Sequence, residues 1–223
     1  MMMDREYALS LINNKILLHA ILAFNLDSKA DKNKLPAKVS SFFENYPQFM
    51  QGLNKNSFLL KPANFATAEF LDFKDLKTRI LLLDDSDFEQ ILLYLGACVY
   101  APYITKIVIK KDLACIQTAL GKNVYDFVMQ HGRYVVGTLS LQEYALLEPE
   151  YIVDVTIKAG IALIDHYAKD LLSPYNELLY KRIEKFSVNE DYSTLNLNSE
   201  KVYSLIRFIA VNEINLKWKD LFA

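Results

Sequence analysis

The sequence predicts an all-α fold, a single globular multi-helix domain of about nine or ten helices. Three observations predict it. Apolar residues recur at spacings of three and four along most of the chain instead of alternating. Ser-led starts and Pro or Gly stops punctuate these runs. With 52% hydrophobic and 13% aromatic residues in a 223-residue chain, there is enough apolar material for a sizeable core. No repeat of roughly 20–50 residues is present, which excludes a solenoid, and no sustained heptad, which excludes a coiled coil.

The first helix is expected over residues 4–24, with Leu9, Ile12, Ile16, His19 and Ala20 on one face. Residues 27–34 are a polar loop. Pro36 suits a helix start, Val39, Phe42, Phe43 and Tyr46 follow at helical spacing, and Pro47 stops the run. Gly52, Asn54, Asn56 and Pro62 break any period over 51–66, making it a long connection. The chain therefore reads as one helical domain, 1–223, divisible into an N-terminal subdomain 1–66 and a main body 67–223. Over 67–83, Phe73, Leu76, Ile80 and Leu83 share a helical face.

Ser86-Asp87-Phe88-Glu89 has the form of a capping box. The helix it opens is apolar nearly all round and should be central, with Pro102 ending it. The β-branched 104–109 segment could form a strand, but a short helix running into Leu113, Ile116 and Leu120 is preferred, with Gly121 as C-terminal cap. Val124, Phe127, Val128 and His131 mark the next helix, closed by Gly132. A second capping box, Ser140 to Glu143, opens a helix that Pro149 closes. Residues 151–172 form a long apolar helix with Ile152, Val155, Ala159, Ala162, Leu163 and His166 on one side. Ser173-Pro174 reads as a cap followed by proline at the first helical position, and the polar stretch 187–198 as a loop. The last helix carries Val202, Leu205, Ile206, Ile209, Glu213 and Leu216 on one face.

Lys+Arg 25 against Asp+Glu 27, a net charge of −2, argues against a general nucleic-acid binder. Only 5 of the 25 basic residues are Arg, the residue favoured for bidentate phosphate contact. The start of the chain lacks a secretory signal pattern, and no apolar run approaches the roughly 20 residues that span a bilayer. Cys98 and Cys115 fit no zinc or redox spacing and read as reduced core residues, consistent with a reducing compartment.

No motif for catalysis emerges. The phosphate-binding glycine loops, the Ser elbow and the H-E-x-x-H zinc pattern are all missing. His19, His131 and His166 form no helical zinc pair, and His166 with Asp170 reads as an ordinary i, i+4 pair. His131, just before Gly132, suits the negative end of a helix dipole better than a catalytic role. Asp84, Asp85, Asp87 and Glu89 fill too few calcium-loop positions and are explained by a helix start. No catalytic residue, metal ligand or cofactor is assigned. Lys106, Lys110 and Lys111 form a basic group at helical spacing beside Tyr103, either a solvated face or a contact for an acidic partner or a phosphate backbone. Trp218 either pins the terminal helix to the core or is an exposed binding anchor.

The stretch 88–132, FEQILLYLGACVYAPYITKIVIKKDLACIQTALGKNVYDFVMQHG, resembles the SctK family of type III secretion proteins, also called YscK or OrgA. The shared features are a buried helix ending in Leu-Gly, here Leu95-Gly96, a second segment ending in Leu120-Gly121, and a helix with an aromatic near Phe127. Residues 23–36, AFNLDSKADKNKLP, resemble the family's Phe-containing segment that leads to Leu-Pro, and the total length agrees. The resemblance implies a non-enzymatic, all-helical, cytoplasmic adaptor of the secretion sorting platform, peripheral to the inner membrane through its partners. Those partners would be the platform's pod protein and the cytosolic domain of the inner-membrane ring protein, with no nucleic acid and no direct membrane insertion. Tyr103, Lys106, Lys110 and Lys111 are the expected partner-binding residues. The rival readings are an α-helical enzyme with a dispersed site around His131 or His166, and an unrelated helical regulator or effector.

Overall fold

The computed structural model describes residues 6, 10–11, 13–25, 71, 73–132, 151–186, 199–214 and 218–222. Among these the fold is all-α, with no strand. Cα packing divides the chain into two compact units, 1–84 and 85–222. The expected subdomain boundary at 66–67, the Pro36 helix, the second capping box at 140–143 and the loops at 27–34, 51–66 and 187–198 lie outside the described residues.

In the first unit, α1 spans Lys15–Asn25. The uninterrupted 4–24 helix is broken at Asn14, whose side-chain oxygen accepts from the Leu17 backbone N–H as a helix cap does. This break shifts the buried face. Leu11, Leu17, Leu18, Ala20 and Ile21 are buried, whereas Ile16, expected inside, is exposed. The regular helix expected over 67–83 is also replaced. Leu71 and Phe73–Asp75 are not helical, and a tighter 3-10 helix runs over Leu76–Leu82. Asp75 caps it by accepting from Lys77 N–H at 2.9 Å. Phe73 adopts φ 52°, a left-handed conformation costing about 1–2 kcal/mol for a side-chain-bearing residue. The buried Arg79 Nε donates to the Phe73 carbonyl at 3.1 Å, and the Phe73 ring meets Phe24 edge-on at 4.9 Å. These contacts hold the strained residue.

In the second unit the elements are α2 Asp85–Val99, α3 Ala101–Ile104, α4 Lys110–Leu120, α5 Lys122–Phe127, α6 Ile152–Ala168, α7 Tyr175–Glu184, α8 Ser199–Ile209 and α9 Lys219–Phe222. Helices α5 and α8 each continue into one turn of π-helix, Val128–Gly132 and Ala210–Ile214. The central expectation holds: α2 is the core helix, with Phe88, Ile91, Leu92, Leu95, Cys98 and Val99 fully buried. It packs on α6, and α8 and the π turn after α5 pack onto the same helix. Helices α4, α7 and α8 all rest on α6.

The α2–α6 contact is made by glycine. A Cβ at Gly96 would collide with the Thr156 carbonyl oxygen, and a Cβ at Gly160 with the Leu92 carbonyl oxygen. Each glycine thus meets the residue four before the other, so the two helices run antiparallel with their backbones in contact. The glycine hydrogens occupying those Cβ directions point at carbonyl oxygens, a weak but recurrent attraction between closely packed helices. Gly96 was read as part of a helix-ending Leu-Gly; it lies inside α2 instead, because the neighbouring helix excludes any side chain there. The expected face of α6 is only partly the buried one, at Ile152, Ala159 and Leu163. Thr156, Gly160, Ile164 and Tyr167 are buried, while Val155, Ala162 and His166 are half-buried.

Other boundaries move for local reasons. The α2 helix begins at Asp85, so Ser86 lies within its first turn and not at its cap. Pro174, expected as the first helical residue, occupies the N-cap of α7 instead, one position before Tyr175. Gly121 does terminate α4, with φ 81° and ψ 151°, a conformation essentially confined to glycine. The final stripe is as expected at Val202, Leu205, Ile206 and Ile209, all buried.

Gly96 and Gly121 separate two uses of glycine. Gly96→Ala should destabilise by about 3 kcal/mol or more through overpacking against backbone, despite the better helix propensity of Ala. Gly121→Ala, with open space around its Cβ, should cost only the backbone strain, about 1–3 kcal/mol. Urea titration of both variants checks the ranking.

Candidate functional site

The basic group is not built on one helix. Tyr103 is half-buried in α3, Lys106 lies in the turn that ends α3, and Lys110 and Lys111 open α4. Residues 107–109 between them are neither helix nor strand. The turn is closed by Lys106 N–H to the Tyr103 carbonyl at 2.9 Å and Ile107 N–H to the Ile104 carbonyl at 3.3 Å. The preferred continuous helix through 104–109 is therefore corrected: three consecutive β-branched residues, Ile107-Val108-Ile109, favour extended backbone, and α4 starts only after them. Helical spacing between Lys106 and Lys110 is lost, but the three lysines remain exposed and close in sequence around one bend.

That bend displays residues the sequence reading missed. Val108 is 89% exposed and Ile109 63% exposed. The signal was present in the β-branched run, but reading it as a short helix running into Leu113 hid its exposure. Lys110 and Lys111 also run against the local electrostatics, because the first turn of a helix favours negative charge. Only Asp112 supplies that charge in α4. The lysines therefore do nothing for the stability of their own helix.

The acidic cluster at the start of α2 is absorbed by tertiary contacts. Asp85 pairs with Arg182 at 3.2 Å and Lys185 at 3.7 Å. Arg182 is buried and its guanidinium lies over the Phe88 ring at 4.1 Å. Asp87 accepts from the Trp218 indole N–H at 2.5 Å. Trp218 is 2% exposed, so of its two readings the core pin is the observed one. Among the described residues no cluster of three or more His, Cys, Asp or Glu has the geometry to hold a metal ion.

The histidines separate. His131, at the end of the π turn, packs beside Phe127 and Phe208 in a three-ring cluster, with centroids 5.3 and 5.4 Å from His131 and 6.0 Å between the two phenylalanines. His166 is near the end of α6, and its expected partner Asp170 lies beyond the helix, which stops at Ala168. The ion pair formed there is Asp165 with Lys169, at 3.0 Å.

Cys98 is buried as expected, and burial pushes its thiol up to about 12. Cys115 is exposed, contrary to the core reading, because α4 turns only Ile116 and Leu120 fully inward. Ellman's reagent should label one thiol rapidly in the native protein, lost in Cys115→Ser, and the second only on unfolding. The native state also holds the Cys98 proton above pH 9.0, where the unfolded thiol releases it. Its contribution is fully present below that pH and is lost as pH rises from 9.0 towards about 12. Urea midpoints across the alkaline range should fall more steeply for the native sequence than for Cys98→Ala.

No described helix is long and apolar enough to cross a membrane. No curated protein and no solved structure matches the chain. The family model for YOP proteins translocation protein K (YscK) matches residues 22–166, which take in α2, the α3–α4 bend, α4, α5 and most of α6. This is well over half of the chain and includes both glycines of the α2–α6 contact, so the protein belongs to the YscK family of type III secretion proteins.

Proposed function

We propose that this type III secretion protein is a non-enzymatic adaptor of the secretion sorting platform, linking the pod protein to the cytosolic domain of the inner-membrane ring protein. The observation that carries the reading is the YscK match over residues 22–166. The disposition of polar groups supports it. The acidic and aromatic side chains that could serve chemistry at the start of α2 are committed to packing, through Asp85–Arg182 and Asp87–Trp218. In this reading the protein is cytoplasmic and reaches the inner membrane through its partners. It binds no nucleic acid and does not insert directly into the membrane.

Tyr103, Lys106, Lys110 and Lys111 are the partner-binding residues of this proposal. Exposed charge at an interface steers encounter and selects a partner of opposite sign. Because Lys110 and Lys111 oppose the dipole of α4, replacing them with acid does not weaken the fold.

Two results should follow with purified components. The full chain, the pod protein and the ring protein's cytosolic domain should form a ternary complex in sedimentation velocity at micromolar concentrations. The double variant Lys106→Glu/Lys110→Glu should lose affinity for one of the two by about tenfold or more, with a thermal midpoint unchanged or slightly raised. Unchanged affinity for both would show the lysines to be a solvated face. If neither protein binds the unaltered chain at micromolar concentration, the adaptor reading fails.

A further inference from the structure

We infer that Val108 and Ile109 form an apolar anchor that inserts into an acid-rimmed apolar pocket on a protein partner. This inference rests on the adaptor reading and names the chemistry of one partner. Single exposed aliphatic residues are ordinary on protein surfaces. Here two adjacent ones stand at the tip of one bend, at 89% and 63% exposure, with Lys106 before them and Lys110 and Lys111 after. An apolar centre flanked by charge of one sign matches the apolar-core, polar-rim arrangement of interfaces, and its complement is a pocket with carboxylates at its edge.

The bend is also held in place. It leaves α3 at the fully buried Ile104 and enters α4, which is fixed by the fully buried Ile116. The two N–H bonds that close the turn after α3 hold its start, and Leu113 N–H to the Ile109 carbonyl at 3.0 Å holds its end. Ile109 is extended, at φ −74° and ψ 115°. Displaying the anchor on a fixed bend lowers the ordering cost of binding. A lipid surface is the less suitable occupant: two short aliphatic side chains with three lysines make one weak anchor, and stable membrane attachment takes a second.

The test exploits a feature of α4. Ile109 is its N-cap and offers no side-chain cap bond. A serine there supplies one, so Val108→Ser/Ile109→Ser removes the anchor while leaving α4 as stable or more so. Binding kinetics of the full chain are measured by surface plasmon resonance against the pod protein and against the ring protein's cytosolic domain. The anchor predicts at least tenfold weaker binding to one of them, seen as faster dissociation, whereas Lys106→Glu/Lys110→Glu slows association to that same protein. Unchanged affinity of the serine variant for both proteins overturns the anchor and leaves the adaptor reading standing. Failure of the unaltered chain to bind either protein overturns that reading and the anchor with it. Sedimentation with phosphatidylglycerol vesicles that the serine variant loses, with both protein affinities unchanged, assigns the bend to lipid and also overturns the anchor.

Discussion

The second unit of this protein depends on one backbone contact, the antiparallel approach of α2 and α6 at Gly96 and Gly160. Neither position has room for a methyl group, since each Cβ direction is filled by a carbonyl oxygen of the opposite helix. Helices packed through side chains are separated by roughly 8–10 Å, and contact between backbones draws them closer. The closeness explains why α2 can be buried nearly all round from Ile91 to Val99, while Asp85, Ser86, Glu89 and Gln90 in its first turns stay exposed. With α6 against its backbone, its other faces are left for α8 and the π turn of α5, while Phe186 meets Phe88 near its first turn. Two glycines inside helices carry an intrinsic cost of about 1 kcal/mol each relative to Ala. The contacts that only their absence of side chain permits offset it.

The polar groups at the start of α2 fix what surrounds this pair. Asp85 and Asp87 stand in the first turn, where negative charge is favoured. They also reach across to α7 and to the C-terminal segment, through Arg182 and Trp218. Arg182 is doubly engaged, paired with Asp85 and stacked on Phe88, which compensates for its burial. The bend that displays Val108 and Ile109 follows from the same frame. It leaves α3, which directly continues α2, and returns as α4, which rests on α6.

Much of this was legible in the sequence where apolar periodicity was long and uninterrupted. The burial of Leu92, Leu95, Val124, Phe127, Leu205 and Ile206 follows from spacing alone, as does the stop at Gly121. Misreadings cluster where a tertiary partner overrides a local rule. Gly96 looked like a helix end because a glycine inside a helix is explained only by the second helix pressed against it. Ser86 and Glu89 looked like a capping box, yet the acids beside them were set by Arg182 and Trp218, more than ninety residues away. Residues 67–83 carried a helical period, but Arg79 reaching back to the Phe73 carbonyl draws the chain into a 3-10 turn. At the candidate site the lysines were visible and the anchor was not. A β-branched run reads as interior on composition, and only the bend after α3 turns it outward.

The glycine contact can be tested directly by a double-mutant cycle on Gly96→Ala and Gly160→Ala, with unfolding free energies from urea titration. If the two residues share one backbone contact, the first methyl forces the helices apart and makes room for the second. The double variant should then be more stable than the sum of the singles implies, with a coupling energy of about 1–3 kcal/mol. Additive losses, agreeing within about 0.5 kcal/mol, would show that the two glycines act independently and would contradict the contact on which the packing of this unit depends.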